Sequence, residues 1–267
     1  MNTNNKLKEE SKLFFSERGE EISANPSLEE LCYVSGRDPR LWADKTMYDD
    51  MINSIKEQLS IAKNHDLLEV GCAAGFLAKG LAPLTLNYTG IDIADGAITS
   101  AKKLQILNAS FLIEDATKMK LKDKLFDRVI SYDVFTNFPN FEFAELILNE
   151  MVRVTKENGK IMIGSIPNQD KEKDFPIICQ KVSEKLNKVQ LINSAEQNKK
   201  TSFLSKIKRY YNRKIKKINA TIICFYFKKE DFIEFGNKNN LNTEIFEIHE
   251  KNPYLGYRFN VVYTKGK

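Results

Sequence analysis

Leu67-Leu68-Glu69-Val70-Gly71-Cys72-Ala73-Ala74-Gly75-Phe76 is an apolar strand pattern that runs into small residues and then into a helix pattern. Small residues let a ligand touch the backbone, and unpaired amides at a helix start favour an anionic group. A flat, polar ligand is expected to lie across this turn. A dinucleotide-binding fold wants G-x-G-x-x-G at this point. Only Gly71 fits that spacing, because the next two positions hold Ala73 and Phe76, and Glu69 sets a carboxylate where a pyrophosphate would suffer from it. A nicotinamide enzyme is disfavoured.

Outward from this turn, short apolar runs alternate with helical spacing. The runs are Leu67 to Val70, Tyr88 to Ile91, Phe111 to Ile113, Phe126 to Ile130 and Lys160 to Ser165. Between them lie the helix patterns Phe76 to Leu81, Gly96 to Leu107 and Phe141 to Thr155. Strands alternating with helices predict βαβ units and a parallel sheet. Towards the C-terminus, Lys229 to Asn237 reads as a helix. Thr243 to His249 and Tyr257 to Thr264 then alternate like strands around a turn with Pro253 and Gly256, a pair expected to be antiparallel.

Two carboxylates follow the loop at successive strand ends. In Tyr88-Thr89-Gly90-Ile91-Asp92-Ile93, Asp92 can accept two ribose hydroxyls, although alone it also fits a helix N-cap. In Phe111-Leu112-Ile113-Glu114-Asp115-Ala116, a further carboxylate ends the third run. In open parallel sheets, ligands bind at the carboxyl ends of the strands. Together these stretches resemble the class I S-adenosylmethionine-dependent methyltransferases, whose first motif reads E-x-G-x-G-x-G. Glu69, Gly71 and Gly75 match it, and Ala73 replaces the middle glycine.

The resemblance implies a seven-stranded Rossmann-like α/β sheet, mostly parallel with an antiparallel last strand, and S-adenosyl-L-methionine as cofactor. It implies cofactor contacts from Glu69, Gly71, Cys72, Ala73 and Gly75. Asp92 would take the ribose, Ile93 the adenine face, Asp115 the adenine amino group, and Ala116 would donate its amide. In Phe126 to Phe135, Ser131 and Tyr132 would border the methionine and sulfonium. Arg153-Val154-Thr155-Lys156-Glu157-Asn158-Gly159-Lys160 resembles the family's structural bend before strand five, with Glu157 and Asn158 departing from it. The likeness covers about Asp66 to Ser165, with strands six and seven recoverable beyond.

Four parts follow: a helical N-terminal cap (1–62), a cofactor-binding core (63–168), a helical lid insertion (169–220) and the C-terminal part of the core (221–267). The cap holds helix patterns at Lys6 to Ser16 and Thr46 to Ile61. The insertion carries helical spacing at Ile178, Val182, Leu186 and Val189, then at Leu204, Ile207, Tyr211, Ile215 and Ile218. The chain has 41 Lys or Arg against 36 Asp or Glu, and eleven of those bases, with no acid, lie between Asn198 and Lys229. Nine fall between Lys199 and Lys217. That basic face could be a solvated lid surface, or could hold a phosphate-rich small molecule, a nucleic acid or an anionic membrane. A small anionic or nucleotide-linked acceptor is favoured over RNA, because no RNA-binding module accompanies Tyr210 and Tyr211.

Methyl transfer needs alignment of the acceptor, methyl carbon and sulfur. A hydroxyl acceptor also needs a base, whereas an anionic oxygen does not. His249, Asp133 and Tyr48 are the catalytic candidates in that order, with the bland alternative for His249 a capping or surface role. Gly256 to Val262, with Ser35-Gly36-Arg37, loosely resembles methyltransferases of bacterial surface (capsular) polysaccharide pathways. That would imply a nucleotide sugar, a carrier-linked sugar or a phosphate-derived acceptor. The enzyme alternative is an RNA methyltransferase, and the non-enzymatic one a cofactor-binding regulator without catalysis.

Composition sets the outer limits. With 42% hydrophobic and 29% charged residues among 267, the chain resembles an ordinary globular protein. The longest apolar run, Ile222 to Phe227, has six residues, against about 20 for a membrane span. No secretory signal is read at the start. Cys32, Cys72, Cys179 and Cys224 are scattered, and His65 and His249 are the two histidines, so neither a disulfide framework nor a metal site is expected. A cytoplasmic location follows as an expectation. The oligomeric state is not legible.

Overall fold

The structure, a computed structural model, describes residues 3–184 and 224–266. Four helices precede the sheet: α1 (Thr3–Glu20), α2 (Leu28–Val34), α3 (Pro39–Trp42) and α4 (Lys45–Gln58). The two short ones owe their starts to caps. Ser27 and Glu30 form a reciprocal capping box on α2, and Asp38 caps α3 ahead of Pro39 at its first position. Elements of one or two turns have too little periodicity to stand out in sequence, which explains why only the longer helix patterns were expected there.

Seven strands form one sheet: β1 (Asp66–Val70), β2 (Asn87–Asp92), β3 (Ala109–Ile113), β4 (Phe126–Tyr132), β5 (Thr155–Pro167), β6 (Leu241–Glu247) and β7 (Arg258–Lys265). Their order is β3-β2-β1-β4-β5-β7-β6, parallel from β3 to β5, with β7 antiparallel to both its neighbours. The expected sheet and its reversed last strand are therefore present. Strand order reverses between β1 and β4, which opens a crevice at their carboxyl ends.

Both faces of the sheet are buried, and neighbouring residues go to opposite sides. Leu67, Ile130, Met162 and Val262 join one apolar cluster with Leu31, Met51, Ile55 and Phe76. Leu68, Val129, Ile161 and Val261 join another with Leu148 and Phe232. This period of two, apolar on both sides, is why the strands read as continuous apolar runs. The first cluster includes the N-terminal helices, so they share a core with the sheet. The helix α7 (Phe141–Val154), capped by Asn140, and the helix Lys229–Lys238 cover the second face.

The helix after the glycine loop is shorter than expected. Residues 71–77 are turns, and α5 runs only from Ala78 to Leu81 before a single 3-10 turn with Pro83. Gly75, at φ +82°, breaks the start and proline stops the continuation. The following helix, α6 (Asp95–Lys102), also ends early, and Gln105 turns the chain at φ +50°. Thr155 to Gly159, expected as a bend, is the irregular start of β5, with Asn158 at φ +61°. The basic face of the expected lid, Lys199 to Lys217, and its apolar positions from Leu186 to Ile218 lie outside the described residues. Among the described residues, no helix is long and apolar enough to cross a membrane.

Candidate active site

The loop after β1 is held against β2 by its own backbone. The amides of Gly71 and Cys72 both donate to the Ile91 carbonyl, at 2.8 and 3.0 Å. Gly71 sits at φ +80°, and a Cβ there would come within 2.5 Å of Val134 Cγ2, so no other residue fits. Ala73, in place of the family's middle glycine, takes φ +44°. A left-handed alanine costs about 1–2 kcal/mol. Asp92 helps to hold it there, for the Ala73 amide donates to Asp92 Oδ2 at 2.8 Å and the Ala94 amide to Oδ1 at 2.9 Å. Each carboxylate oxygen keeps a further lone pair. Burial raises the Asp92 pKa above the ordinary carboxylate range, against the opposing amides.

At the end of β3, Asp115 accepts from both the amide and the hydroxyl of Thr117, at 3.0 and 2.8 Å. Lys8, from α1, pairs with its other oxygen. Burial pulls the Asp115 pKa up, but the Lys8 and Thr117 hydrogen bonds outweigh it and leave it lowered. At the end of β4, Asp133 takes φ +61°, a conformation that aspartate tolerates. Its Oδ2 accepts from Arg37 Nε at 3.1 Å and its Oδ1 from Arg258 Nη1 at 2.9 Å.

These residues border two connected clefts. The first has a volume of about 1040 Å³ including its open mouth, and is lined by Gly71, Ala73, Asp92, Asp115 and Tyr132 among others. Ile93 and Ala116 also face it, with Phe143 and Ile147 from α7. The second, about 1310 Å³ measured likewise, runs between the N-terminal helices and the ends of β4 and β7. Ser11, Phe15, Ser35, Arg37, Asp133 and Asn137 border both. The first cleft suits a nucleoside: carboxylates for hydroxyls and an amino group, a backbone loop, and apolar side chains for a flat ring.

Other expected residues stand behind or outside these walls. Glu69 is buried and accepts from the Tyr88 hydroxyl, and burial raises its pKa to about 7. Cys72, Gly75 and Ser131 line neither cleft, and the Ser131 hydroxyl donates to the Val70 carbonyl at 3.0 Å. Tyr48 and His249 line neither cleft either. The Tyr48 hydroxyl donates to the Phe76 carbonyl at 2.9 Å, a contact that steadies the glycine loop. His249 sits behind Trp42, ring centroids 6.1 Å apart, with both ring nitrogens engaged. A proton-accepting role at the acceptor is therefore not available to it in this arrangement.

Sequence reasoning missed the contribution of α1 and of Arg37 and Arg258. Lys8, Ser11 and Phe15 come from a helix without a motif. The two arginines stood in quoted stretches, yet nothing in those stretches tells that they meet at Asp133.

Residues 68–163 match a family model described as "Methyltransferase domain". A fatty-acid O-methyltransferase of Mycolicibacterium smegmatis is 33% identical over 98 residues, covering 35% of this chain and 34% of the relative. A ubiquinone biosynthesis O-methyltransferase of Dechloromonas aromatica is 26% identical over 133 residues, 48% and 55% of the two chains. The chain thus spans about a third to a half of the length of these curated relatives. The crystal structure of the N-methyltransferase NodS from Bradyrhizobium japonicum, in complex with S-adenosyl-L-homocysteine, superposes with a TM-score of 0.54 at 16% identity. It covers 85% of this chain and 91% of that one, a likeness of fold. With the strand order, the loop at Gly71 and the carboxylates of Asp92 and Asp115 in one cleft, residues 68–163 are similar to a methyltransferase domain in sequence, and the sheet around them has the fold of such an enzyme.

Proposed function

We propose that the chain is an S-adenosylmethionine-dependent O-methyltransferase for a small anionic acceptor: a glycosyl, nucleotide-linked or phosphate-derived molecule of surface polysaccharide biosynthesis. It would act in the cytoplasm, with residues 1–62 as the cap over both clefts. The observation that carries this reading is the second cleft, which joins the first at Asp133 and brings two arginines to the junction. The names of the two O-methyltransferase relatives support oxygen as the methylated atom.

In the first cleft S-adenosylmethionine would supply a methyl group on a sulfonium sulfur, which leaves as a neutral thioether and needs no proton. Asp92 would hold the ribose hydroxyls, Asp115 and Ala116 the adenine edge, and Tyr132 would wall the methionine end. Catalysis by this chain then consists mainly of holding the acceptor in line and keeping water away. Asp133 gives both carboxylate oxygens to guanidinium N–H groups, so it orients the arginines rather than taking a proton. An acceptor oxygen that is already anionic needs no base.

The test is calorimetry with S-adenosyl-L-homocysteine, followed by a screen for methyl transfer from labelled S-adenosylmethionine to nucleotide sugars, sugar phosphates and simple carboxylates. Transfer to one of these acceptors is expected. A chain that binds no S-adenosyl-L-homocysteine would refute the reading at its first step.

A further inference from the structure

The junction of the two clefts holds an uneven set of charges. Arg37, Asp133 and Arg258 have side chains only 10%, 14% and 15% exposed, and they place two guanidinium groups on one carboxylate. Arginine stays charged in proteins, and a charge so far from water calls for a partner. Asp133 can neutralise only one of the two.

The hydrogen bonds show where the deficit lies. Arg258 Nη1 serves Asp133 Oδ1, the Ser165 carbonyl and the Ser165 hydroxyl, at 2.9, 3.2 and 3.1 Å. Its Nε is buried without a hydrogen-bond partner among the described residues, and the hydrogen bonds it makes to them all run through Nη1. A buried donor left unpaired is costly, and the Nε–Nη2 edge is the fork that matches a carboxylate or phosphate in a bidentate manner. The Tyr254 ring lies 5.0 Å from the same guanidinium. Trp42, Phe175 and Tyr254 add aromatic wall to the cleft, the last two stacked at 18° and 6.3 Å.

We propose that Arg258, fixed by Asp133 beside Arg37, is the subsite that receives the acceptor's anionic group, a phosphate or a carboxylate, in the second cleft. The aromatic side chains then take the body that carries the group. This assignment rests on the methyltransferase reading above and adds to it the residue that selects the acceptor. Asp133 is the spacer between the two arginines, and the incoming anion accepts from the Arg258 Nε that is left without a partner.

Trp42 is the sole tryptophan of the chain and borders this cleft, so its fluorescence reports occupancy. The full chain, with and without S-adenosyl-L-homocysteine, would be titrated with phenyl phosphate, benzoate and the neutral control benzyl alcohol. A saturable change with an anion and none with the alcohol is expected. Preference for phenyl phosphate identifies a phosphoryl acceptor, preference for benzoate a carboxylate. Arg258→Met should weaken anion binding by about tenfold or more, as loss of a charge-assisted contact does, with S-adenosyl-L-homocysteine affinity unchanged. Arg258→Lys, which keeps the charge and loses the fork, should fall between and decides the matter if the Met variant does not fold. Absence of anion binding, equal binding of the alcohol, or an Arg258 variant that holds the anion as tightly as the parent would overturn the subsite. Failure of the parent to bind S-adenosyl-L-homocysteine is read separately by calorimetry and strikes the methyltransferase reading instead.

Discussion

Nδ1 of His249 lies 3.0 Å from Oδ2 of Asp50, which joins the turn after β6 to α4. A carboxylate accepts, so Nδ1 carries the proton and Nε2 must accept from the Asn252 amide, 3.0 Å away. Asn252 cannot turn to offer its oxygen, since that oxygen already accepts from the Tyr254 amide at 2.9 Å. The imidazole is thereby held neutral.

Stability should report this. Burial lowers the His249 pKa, and Asp50 only partly opposes it. The unfolded chain then binds a proton that the folded chain does not. Stability is full above about pH 6.5, where histidine is neutral in either state, and falls as pH drops through the lowered folded value. Thermal melts of the parent and of His249→Gln between pH 5 and 8, values set by about the ordinary histidine range, should show a steeper acid decline in the parent. The pH profile of turnover should keep its shape in the variant. A lost limb in that profile would restore His249 to the chemistry.

Asp92, the proposed ribose ligand, would have a dual role, since its carboxylate holds the left-handed Ala73. Asp92→Ala should cut S-adenosyl-L-homocysteine affinity by about 1.5–3 kcal/mol, the range for hydrogen bonds to a charged group. Calorimetry measures it directly, and an affinity equal to the parent's would contradict the ribose assignment.

The N-terminal helix α1 is docked on α6 by close backbone approach. A Cβ on Gly96 of α6 would stand 2.1 Å from the Ser16 carbonyl oxygen of α1. Backbone cannot yield as a side-chain end does, so α1 would have to move. Gly96→Ala should cost about 1–3 kcal/mol in denaturant unfolding, as overpacking does. Because α1 also brings Lys8, Ser11 and Phe15 to the first cleft, affinity for S-adenosyl-L-homocysteine should fall in step. A destabilised variant with intact affinity would separate the docking of α1 from ligand binding in the first cleft.

Lys8 closes α1 onto Asp115, at the point where an adenine amino group would bind. The pair is partly exposed, so it contributes no more than about 1 kcal/mol. Lys8→Met should speed both association and dissociation of S-adenosyl-L-homocysteine in stopped-flow measurements and leave the equilibrium affinity within a few-fold. Unchanged rates would mean that the ion pair does not gate the cleft.

The linear chain determined the sheet and the cofactor loop, because both are written in local terms. Leu67 and Leu68, and Ile161 to Ile163, are apolar on consecutive positions because both sheet faces are covered, and that burial leaves a signal within a few residues. Gly71, Asp92 and Asp115 could be placed because each sits at a strand end, and a parallel sheet brings strand ends together by construction. The acceptor side carries no such rule. Arg37 and Arg258 reach Asp133 across 96 and 125 positions of sequence, from the loop between α2 and α3 and from β7. Tyr48 and His249 have the right chemistry for a base, yet packing turned one to the Phe76 carbonyl and the other to Asp50. Only the tertiary structure decided which polar groups face a cleft and which are consumed by their neighbours. Hydrogen-bond partners far apart in the chain are chosen by how the N-terminal helices dock on the rest of the fold, and that docking depends on shape at contacts such as Ser16 with Gly96, which has no period to read.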